Sequence, residues 1–575
     1  MEKLDLRQVI ESKSPGYLDR YPKIVSNLIV KLLARILNLN QINDFLKKNV
    51  DKHGFEFIDE LFDHLDFSYL VSSQDRLKIP YEGRLICVAN HPLGALDGLV
   101  LLKAISSVRP DVKIVANDIL MNLENLKDLF LPYDIFSTTA QRSRLAGIKN
   151  ALLNDETVIF FPAAEVSRLT IRGIRDRKWL KGPLYFAHKY QAPILPIYVK
   201  ARNSILFYAV SLLAKSFSMF MLPREILKKG PRAVKLKIGD PIPSQNFKTK
   251  TINIKVQTRL LKRHVYRLAK HKKGIFKTEK TIIHPVDRKL LKTDLARAEL
   301  LSQVAESKKL YLTDFKSTTH IMREIFRLRE VTFRKVGEGT GNKYDFDQFD
   351  KWYKHIVLWD EDSLDIVGSY RLGLCQEIIA NHGIKGIYNA TLYQFSDAFL
   401  PFLDKAVELG RSFIQQKYWR SNALDYLWQG IGSFLMRHTG IRYLFGAVSI
   451  SDYYSADAKS MIVYFYKKWF GGDENLVTAD HPFIMTRQQQ DEAAQIFNSE
   501  DYNQDFRTLK TMLKNIGYSI PVLFRRYSEL CEPNGVKFLA FGVDESFSNV
   551  VDGLVLLDTS MLKQSKRQRY YQTTE

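Results

Sequence analysis

The chain has 575 residues, 45% of them hydrophobic, and its 85 Lys and Arg outweigh 63 Asp and Glu to give a formal net charge of +22. That is the composition of a globular protein with apolar material for at least two cores, and its charge attracts anions: nucleic acid, anionic lipid or an acidic carrier protein. Cys87, Cys375 and Cys531 lie far apart without ligand spacing, which argues against a disulfide scaffold or a metal site and fits a reducing compartment.

The opening MEKLDLRQVIESKSPGYLDR lacks the apolar core of a signal peptide, so a cytosolic face is expected. Residues 1–75 read as helical. Within them, Ser26 to Leu39 has helical apolar spacing with Lys31 and Arg35 on another face, which fits either a packed amphipathic helix or a membrane-surface helix. From Arg84 short apolar runs (RLICVAN, VKIVAN, ETVIFFPA, APILPIYVK) alternate with helical segments (LDGLVLLKAISSV, RLAGIKNALLN). This predicts an α/β fold on a largely parallel or mixed sheet, spanning 76–285.

Asn90-His91-Pro92-Leu93-Gly94-Ala95-Leu96-Asp97 follows the strand RLICVAN. A strand end feeding a helix is where α/β folds place chemistry, and a histidine oriented by a carboxylate can take a proton from an alcohol. By itself the pair also fits a turn histidine with a helix-capping aspartate. Phe160-Phe161-Pro162-Ala163-Ala164-Glu165-Val166-Ser167-Arg168 follows the next strand but one, and Ala192-Pro193-Ile194-Leu195-Pro196-Ile197 comes later.

Ser204 to Leu222 is the most apolar stretch; with Lys215 and its serines it suits an interfacial helix or an acyl-groove cover better than a span. Arg224 to Lys292 is basic and reads as a solvated helical connector or as a contact for anionic headgroups. A linker is expected over 286–309 and a second α/β unit over 310–575. In that unit a helix covers IMREIFRLREVTFRK, and strands lie near Lys354–Trp359, Ile366–Leu374, Ala406–Phe413 and Tyr443–Ser449. A helix starts at Ala423, and the end of the chain alternates helix (DFRTLKTMLKNIG) with strand (VKFLAFGVD, DGLVLLD).

Three blocks in the first region, in their order, resemble those of the glycerolipid acyltransferase family over about residues 80–240. Two departures stand out: five residues, not four, separate His91 from Asp97, and two alanines precede Glu165 where the family has Phe-Pro-Glu-Gly-Thr-Arg. These resemble the branch that acylates hydroxylated N-acyl amino acids. The resemblance implies His91 as general base, Asp97 as its orienting group, and Glu165 and Arg168 as acceptor-binding residues. Arg142 and Arg144 fall where a further substrate block would lie, and also fit solvated helix positions.

In the second region Val367-Gly368-Ser369-Tyr370-Arg371-Leu372, Glu408-Leu409-Gly410-Arg411-Ser412 and Leu427-Trp428-Gln429-Gly430 occur in one order. The series resembles the GNAT-type N-acyltransferases of ornithine and glycine aminolipids, relatives of acyl-homoserine-lactone synthases. The joined halves resemble fused ornithine-lipid synthases. The resemblance implies two acyl transfers without a cofactor beyond the acyl thioester: N-acylation of an amino acid by a 3-hydroxyacyl chain, then O-acylation of its hydroxyl. An amine must lose a proton before attacking a thioester, and Glu408 is the candidate base. Arg371 and Arg411 are candidates for the amino acid carboxylate or a phosphate.

Tyr418-Trp419-Arg420-Ser421-Asn422-Ala423 stands in place of the Gly-rich pyrophosphate loop, so Arg420 and the helix start suit a single phosphate, as on an acyl-carrier protein. Expected partners are therefore acyl-carrier protein, the amino acid, the lyso-aminolipid and membrane lipid, with peripheral attachment to the cytoplasmic face of the inner membrane. Nucleic acid is not expected, since no zinc finger, RNP motif or basic zipper is present. A glycerophospholipid acyltransferase with an accessory GNAT domain is the alternative.

Overall fold

The computed structural model describes residues 7, 16, 19, 22–36, 39–116, 123–132, 141–171, 173–213, 225, 232–247, 252–545, 547 and 549–571. The chain divides into two compact units, Met1–Thr281 and Ile282–Glu575.

The first unit is built on a seven-stranded sheet. Its strands are β1 (Phe67–Leu70), β2 (Leu85–Ala89), β3 (Val112–Ala116), β4 (Phe130–Pro132), β5 (Thr157–Phe160), β8 (Ile194–Lys200) and β9 (Arg232–Ile238), in the order β1-β9-β8-β2-β5-β3-β4. All neighbours are parallel except β8 and β9. A separate hairpin joins β6 (Arg168–Thr170) to β7 (Gly173–Arg175). β2 and β5 are buried at every position, as strands covered on both faces must be, which is why they read as unbroken apolar runs. Helices Ala95–Ser106 and Gln141–Leu153 follow β2 and precede β5. The expected helical segment 1–75 also contains β1, which joins this sheet beside β9 before a short helix at Ser73–Arg76. The basic region beyond Arg224 is also no mere connector. β9 lies within it, its Val234, Leu236 and Ile238 packed in the core between lysines. Of Ser204–Leu222, Ser204 and the helix Ile205–Leu213 are described and residues 214–222 lie outside the described residues. Among the described residues no helix is long and apolar enough to cross a membrane.

The second unit holds an eight-stranded sheet. Its strands are β10 (Glu299–Ala305), β11 (Lys308–Asp314), β12 (Lys354–Asp360), β13 (Asp365–Leu374), β15 (Ala406–Ile414), β16 (Tyr443–Ile450), β18 (Val536–Asp544) and β19 (Val550–Asp558), ordered β10-β11-β12-β13-β15-β16-β19-β18. β14 (Tyr393–Phe395) and β17 (Val477–Ala479) pair separately. The segment 286–309 is thus not a linker: it carries the helix Arg288–Leu295, whose Leu291 and Leu295 are buried, and the edge strand β10. One sheet face packs on helices Ala423–Arg437 and Ala456–Phe470 through Leu358, Leu409, Leu444 and Val448. The opposite face carries Phe445, Leu554 and Leu556 in one cluster and Val357, Trp359 and Phe413 in another.

β15 and β16 are the only parallel neighbours in this sheet, and they pair only from Ala406↔Tyr443 to Glu408↔Phe445. Beyond that point each continues for several residues without pairing to the other, so the sheet opens between them. Gly446 lies at the divergence; a Cβ there would sit 2.0 Å from the Leu409 carbonyl oxygen, an approach only glycine permits.

Candidate functional sites

In the first unit, β2 lies between parallel neighbours β5 and β8, so all three chains leave the sheet at the same edge. That brings His91 after β2, Phe161–Arg168 after β5 and Asn203 after β8 to one place. Asp97 is fully buried in the first turn of the Ala95–Ser106 helix and accepts from the backbone N–H groups of Leu93 (2.7 Å) and Gly94 (3.2 Å). Its Oδ2 lies 3.2 Å from His91 Nδ1. Burial pushes the Asp97 carboxyl up, and the contacts to His91, Leu93 and Gly94 counter that. The His91 ring stacks on Phe161 at 4.0 Å between centroids and is 17% exposed. Among the described residues Nε2 has no hydrogen-bond partner, so it is the nitrogen open to a substrate hydroxyl.

Sequence reading missed the group that joins the two blocks. Asp176 Oδ1 accepts from the His91 backbone N–H (3.2 Å) and from Ser167 Oγ, its Oδ2 accepts from Trp179 Nε1 (2.8 Å), and its own N–H donates to Tyr266 Oη (2.9 Å). Ser167 N donates to the His91 carbonyl at 2.7 Å, and Asn203 Nδ2 donates to the Pro92 carbonyl at 2.9 Å. Asp176 stands among arginines in Ile174-Arg175-Asp176-Arg177, where nothing in the pattern marks it. Glu165 and Arg168 are 3.7 Å apart, and Arg177 is also 3.7 Å from Glu165. Ala164, inside this block, holds a left-handed backbone at φ 55°. The helix holding Arg142 and Arg144 is present, but their side chains lie outside the described residues.

In the second unit a polar row crosses the sheet on the face that carries Phe445 and Leu554. His355 on β12 is directly opposite Arg371 on β13. Both are buried, and Arg371 Nη1 donates to both Asp347 oxygens (2.7 Å each) and to Asp350 (3.2 Å). Arg329 on the Thr319–Val336 helix donates to Asp350 at 2.9 Å and contacts His355 Nδ1 at 3.3 Å. Burial and the Arg329 charge hold His355 well below the usual imidazole range, so its Nδ1 is free to accept. Burial opposes ionisation of Asp350, but Arg329 and Arg371 overcome it and hold the carboxyl below the usual range. Arg371, expected to bind substrate, is therefore 1% exposed and committed to carboxylates of its own chain. The Asp347-x-x-Asp350 spacing in an otherwise ordinary loop was the available signal for these partners.

Glu408 is 2% exposed. It accepts from Tyr353 Oη, from the backbone N–H groups of Tyr388 (3.1 Å) and Asn389 (2.7 Å), and from Asn389 Nδ2 (2.5 Å). Burial raises its pKa and these donors counter the rise. These donors tie the carboxylate to the Tyr388–Thr391 turn, and burial still leaves its pKa above the ordinary carboxylate value.

Arg411 lies at a β-bulge. Ser369 pairs with Phe413 but Arg371 with Gly410, so one extra residue is inserted opposite Tyr370. The residue that takes the left-handed backbone is Arg411 itself (φ 48°), not the neighbouring Gly410. The bulge turns Arg411 onto the face of Glu408 and Arg371. There its guanidinium lies 5.0 Å over the Tyr388 ring, 3.3 Å from Tyr388 Oη and 3.4 Å from Asp347. Its Nε is buried without a hydrogen-bond partner among the described residues.

Further along the open side of β16, Ser449 is in register with Asp552 on β19, and both share this face. Burial pushes Asp552 up to about 8, with nearby Asp544 and Glu338 adding to the rise and Arg411 opposing it. Burial likewise pushes Glu338 up to about 7. Neither was singled out in the sequence, because no motif surrounds them. Arg420 is exposed at the start of the Ala423–Arg437 helix. There a cavity of about 460 Å³ is lined by Lys308, Leu358, Tyr418, Arg420, Ser421 and Asn422.

An Acyltransferase family model matches residues 8–273, and an Acetyltransferase (GNAT) domain model matches residues 328–429. The chain is 31% identical over 305 residues to the glycine N(alpha)-acyltransferase of Bacteroides thetaiotaomicron, covering 51% of this chain and 90% of that protein. It is 31% identical over 257 residues to the lyso-glycine lipid O-acyltransferase of the same organism, covering 43% of this chain and 92% of that one. An L-ornithine N(alpha)-acyltransferase of Agrobacterium fabrum is 31% identical over 117 residues, 19% of this chain and 39% of that protein.

Proposed function

The chain belongs to the glycine N(alpha)-acyltransferase and lyso-glycine lipid O-acyltransferase families, and from that premise we propose that it performs both transfers in succession on one amino acid. The observation that carries the reading is the presence, in one chain, of a buried-aspartate histidine site in the first unit and an opened β15–β16 sheet in the second.

The N-acyl transfer comes first. The acyl thioester enters at the start of the Ala423–Arg437 helix, where the cavity beside Lys308 and Arg420 suits the single phosphate of a carrier-protein arm. The thioester carbonyl lies in the gap between β15 and β16. Arg411 receives the amino acid carboxylate at its vacant Nε, and the carboxylates around Asp552 receive the ammonium group. With Asp552 near 8 and Glu338 near 7, a carboxylate there takes the amine proton near neutral pH, freeing the nitrogen to attack. The carbonyl carbon gains the C–N bond and the thiolate leaves.

The product, carrying a 3-hydroxyl on its acyl chain, moves to the first unit. His91 Nε2 takes the hydroxyl proton while buried Asp97 stabilises the resulting imidazolium; the oxygen attacks the carbonyl carbon of a second thioester, the C–O bond forms as the C–S bond breaks, and the departing thiolate takes the proton back from His91. Glu165 and Arg168 contact the head of the acceptor. The O-acyl acceptor and the final product are acyl lipids, which supports peripheral attachment to a membrane, placed in this reading on its cytoplasmic face.

The experiment supplies the purified chain with 3-hydroxyacyl and acyl thioesters, on carrier protein or on coenzyme A, together with glycine, ornithine or lysophosphatidic acid. Mass spectrometry should find the mono-acylated and then the di-acylated amino acid. Phosphatidic acid as the sole product would instead establish a glycerolipid acyltransferase and sink this reading.

A further inference from the structure

The first unit leaves an apolar surface uncovered beside its histidine site. At the turn of the β6–β7 hairpin Ile171 is fully exposed, and Leu169 before it is 46% exposed. The hairpin rests on the Ile205–Leu213 helix: Val166 and Ile174 pack with Phe207, Tyr208 and Val210. That helix in turn exposes Ile205 (88%) and Leu206 (49%). Two elements that pack together thus expose four large apolar side chains, Ile171 and Ile205 almost completely, and apolar side chains grouped on neighbouring elements mark an interaction surface.

The charge around them says what does. Between Val166 and Ser204 the sequence has nine Lys and Arg and a single acid, Asp176, which is buried. Arg177, Lys178 and Lys181 follow the hairpin directly, Arg202 precedes the helix, and all four are exposed. An apolar tip within a cationic rim complements an anionic bilayer, where the tip enters the acyl region and the rim meets the headgroups. A water-soluble acidic partner would use the rim and leave Ile171 uncovered.

We propose that the β6–β7 hairpin and the Ile205–Leu213 helix form a wedge that inserts into anionic lipid and seats the His91 site at the bilayer surface. β6 begins at Arg168, within the block that stacks Phe161 on His91, so insertion of the hairpin sets the depth of the site. The proposal rests on the reading that the O-acyl acceptor is a lipid.

The test measures co-sedimentation of the full chain with phosphatidylglycerol–phosphatidylcholine vesicles and with phosphatidylcholine vesicles, without substrates. Wild type should bind the anionic vesicles more strongly, and high salt should weaken that binding. Ile171→Asp, at an exposed turn, should keep the wild-type melting temperature and lower partitioning about tenfold. Ile171→Trp emission should shift to the blue when anionic vesicles are added. Wild-type binding by Ile171→Asp, an unshifted Trp emission, or a dimer in ultracentrifugation that Ile171→Asp dissolves would each overturn the wedge. Normal vesicle binding with no aminolipid product would count against the functional reading and leave the wedge standing.

Discussion

His91 is held mainly by its backbone: its N–H donates to Asp176, its carbonyl accepts from Ser167, and only its ring is left for chemistry. His91→Ala therefore keeps the local frame and removes the proposed base, and ester formation should fall at least ~100-fold while amide formation persists. Accumulation of the mono-acylated amino acid, read by mass spectrometry, is the expected result; equal loss of both products in a folded variant would mean that the sites are not separate. Glu408 and Asp552 separate in the same manner. Glu408→Gln brings an NH₂ group against one of the N–H or O–H donors, which should cost about 1–3 kcal/mol of stability; unchanged melting with a collapsed amide rate would make Glu408 the base after all. Asp552 is pushed up to about 8, so the folded state holds a proton there that the unfolded chain gives up near its ordinary value of 3.8. Folding then takes up a proton between those values, and this group's contribution to stability falls as pH rises from about 4 to 8. Asp552→Asn should remove that dependence, so its melting temperature should gain on wild type steadily from acid to alkaline pH. Its amide rate should fall and lose its pH dependence around 8; a rate and profile like wild type would exclude Asp552 from the proton transfer.

The bulge in β15 is the element on which the second site turns. Residues three apart on a regular strand face opposite ways, so Glu408 and Arg411 could not share a face without an inserted residue. The inserted residue restores agreement by shifting the face pattern, which is why Phe413 packs with Val357 and Trp359. Arg411 adopts a left-handed backbone that costs roughly 1–2 kcal/mol in a residue with a Cβ, and its contacts with Tyr388, Asp347 and Phe547 hold it there. Arg411→Lys loses the planar fork and should lower amide formation about tenfold, chiefly through the amino acid KM. An unchanged KM would show that another group binds the carboxylate. The spacing of Glu408 and Arg411 does not show which residue takes the strained backbone, because glycine's freedom favours Gly410 while the tertiary contacts belong to Arg411.

At the scale of the whole molecule, each hydrophobic cluster draws its buried residues from one unit alone: Phe45 to Val265 in the first, Leu291 to Tyr570 in the second. Each unit has its own core, so residues 1–281 and 282–575 expressed separately should each melt cooperatively. The first should keep O-acylation and the second N-acylation, and aggregation of either alone would show that the cores depend on each other. Most of the strands and helices were legible in the sequence, because apolar runs and helical spacing are local properties: RLICVAN, VKFLAFGVD and the helix from Ala423 emerged where expected. So were the motif blocks, since strand ends and helix starts lie close along the chain. β9 escaped because its basic residues read as a solvated connector, although Val234, Leu236 and Ile238 alternate as a strand requires, and β10 because its segment read as a linker. The partners of the candidate site residues belonged to tertiary structure alone. Asp176 meets His91 across 85 residues of sequence and Asn389 meets Glu408 across 19. The sequence by itself determined which chemistries the chain carries, through side-chain types in short ordered blocks. Only the fold decided which carboxylates are spent on arginines and backbone amides and which are left to titrate, because burial and pairing are properties of neighbours in space.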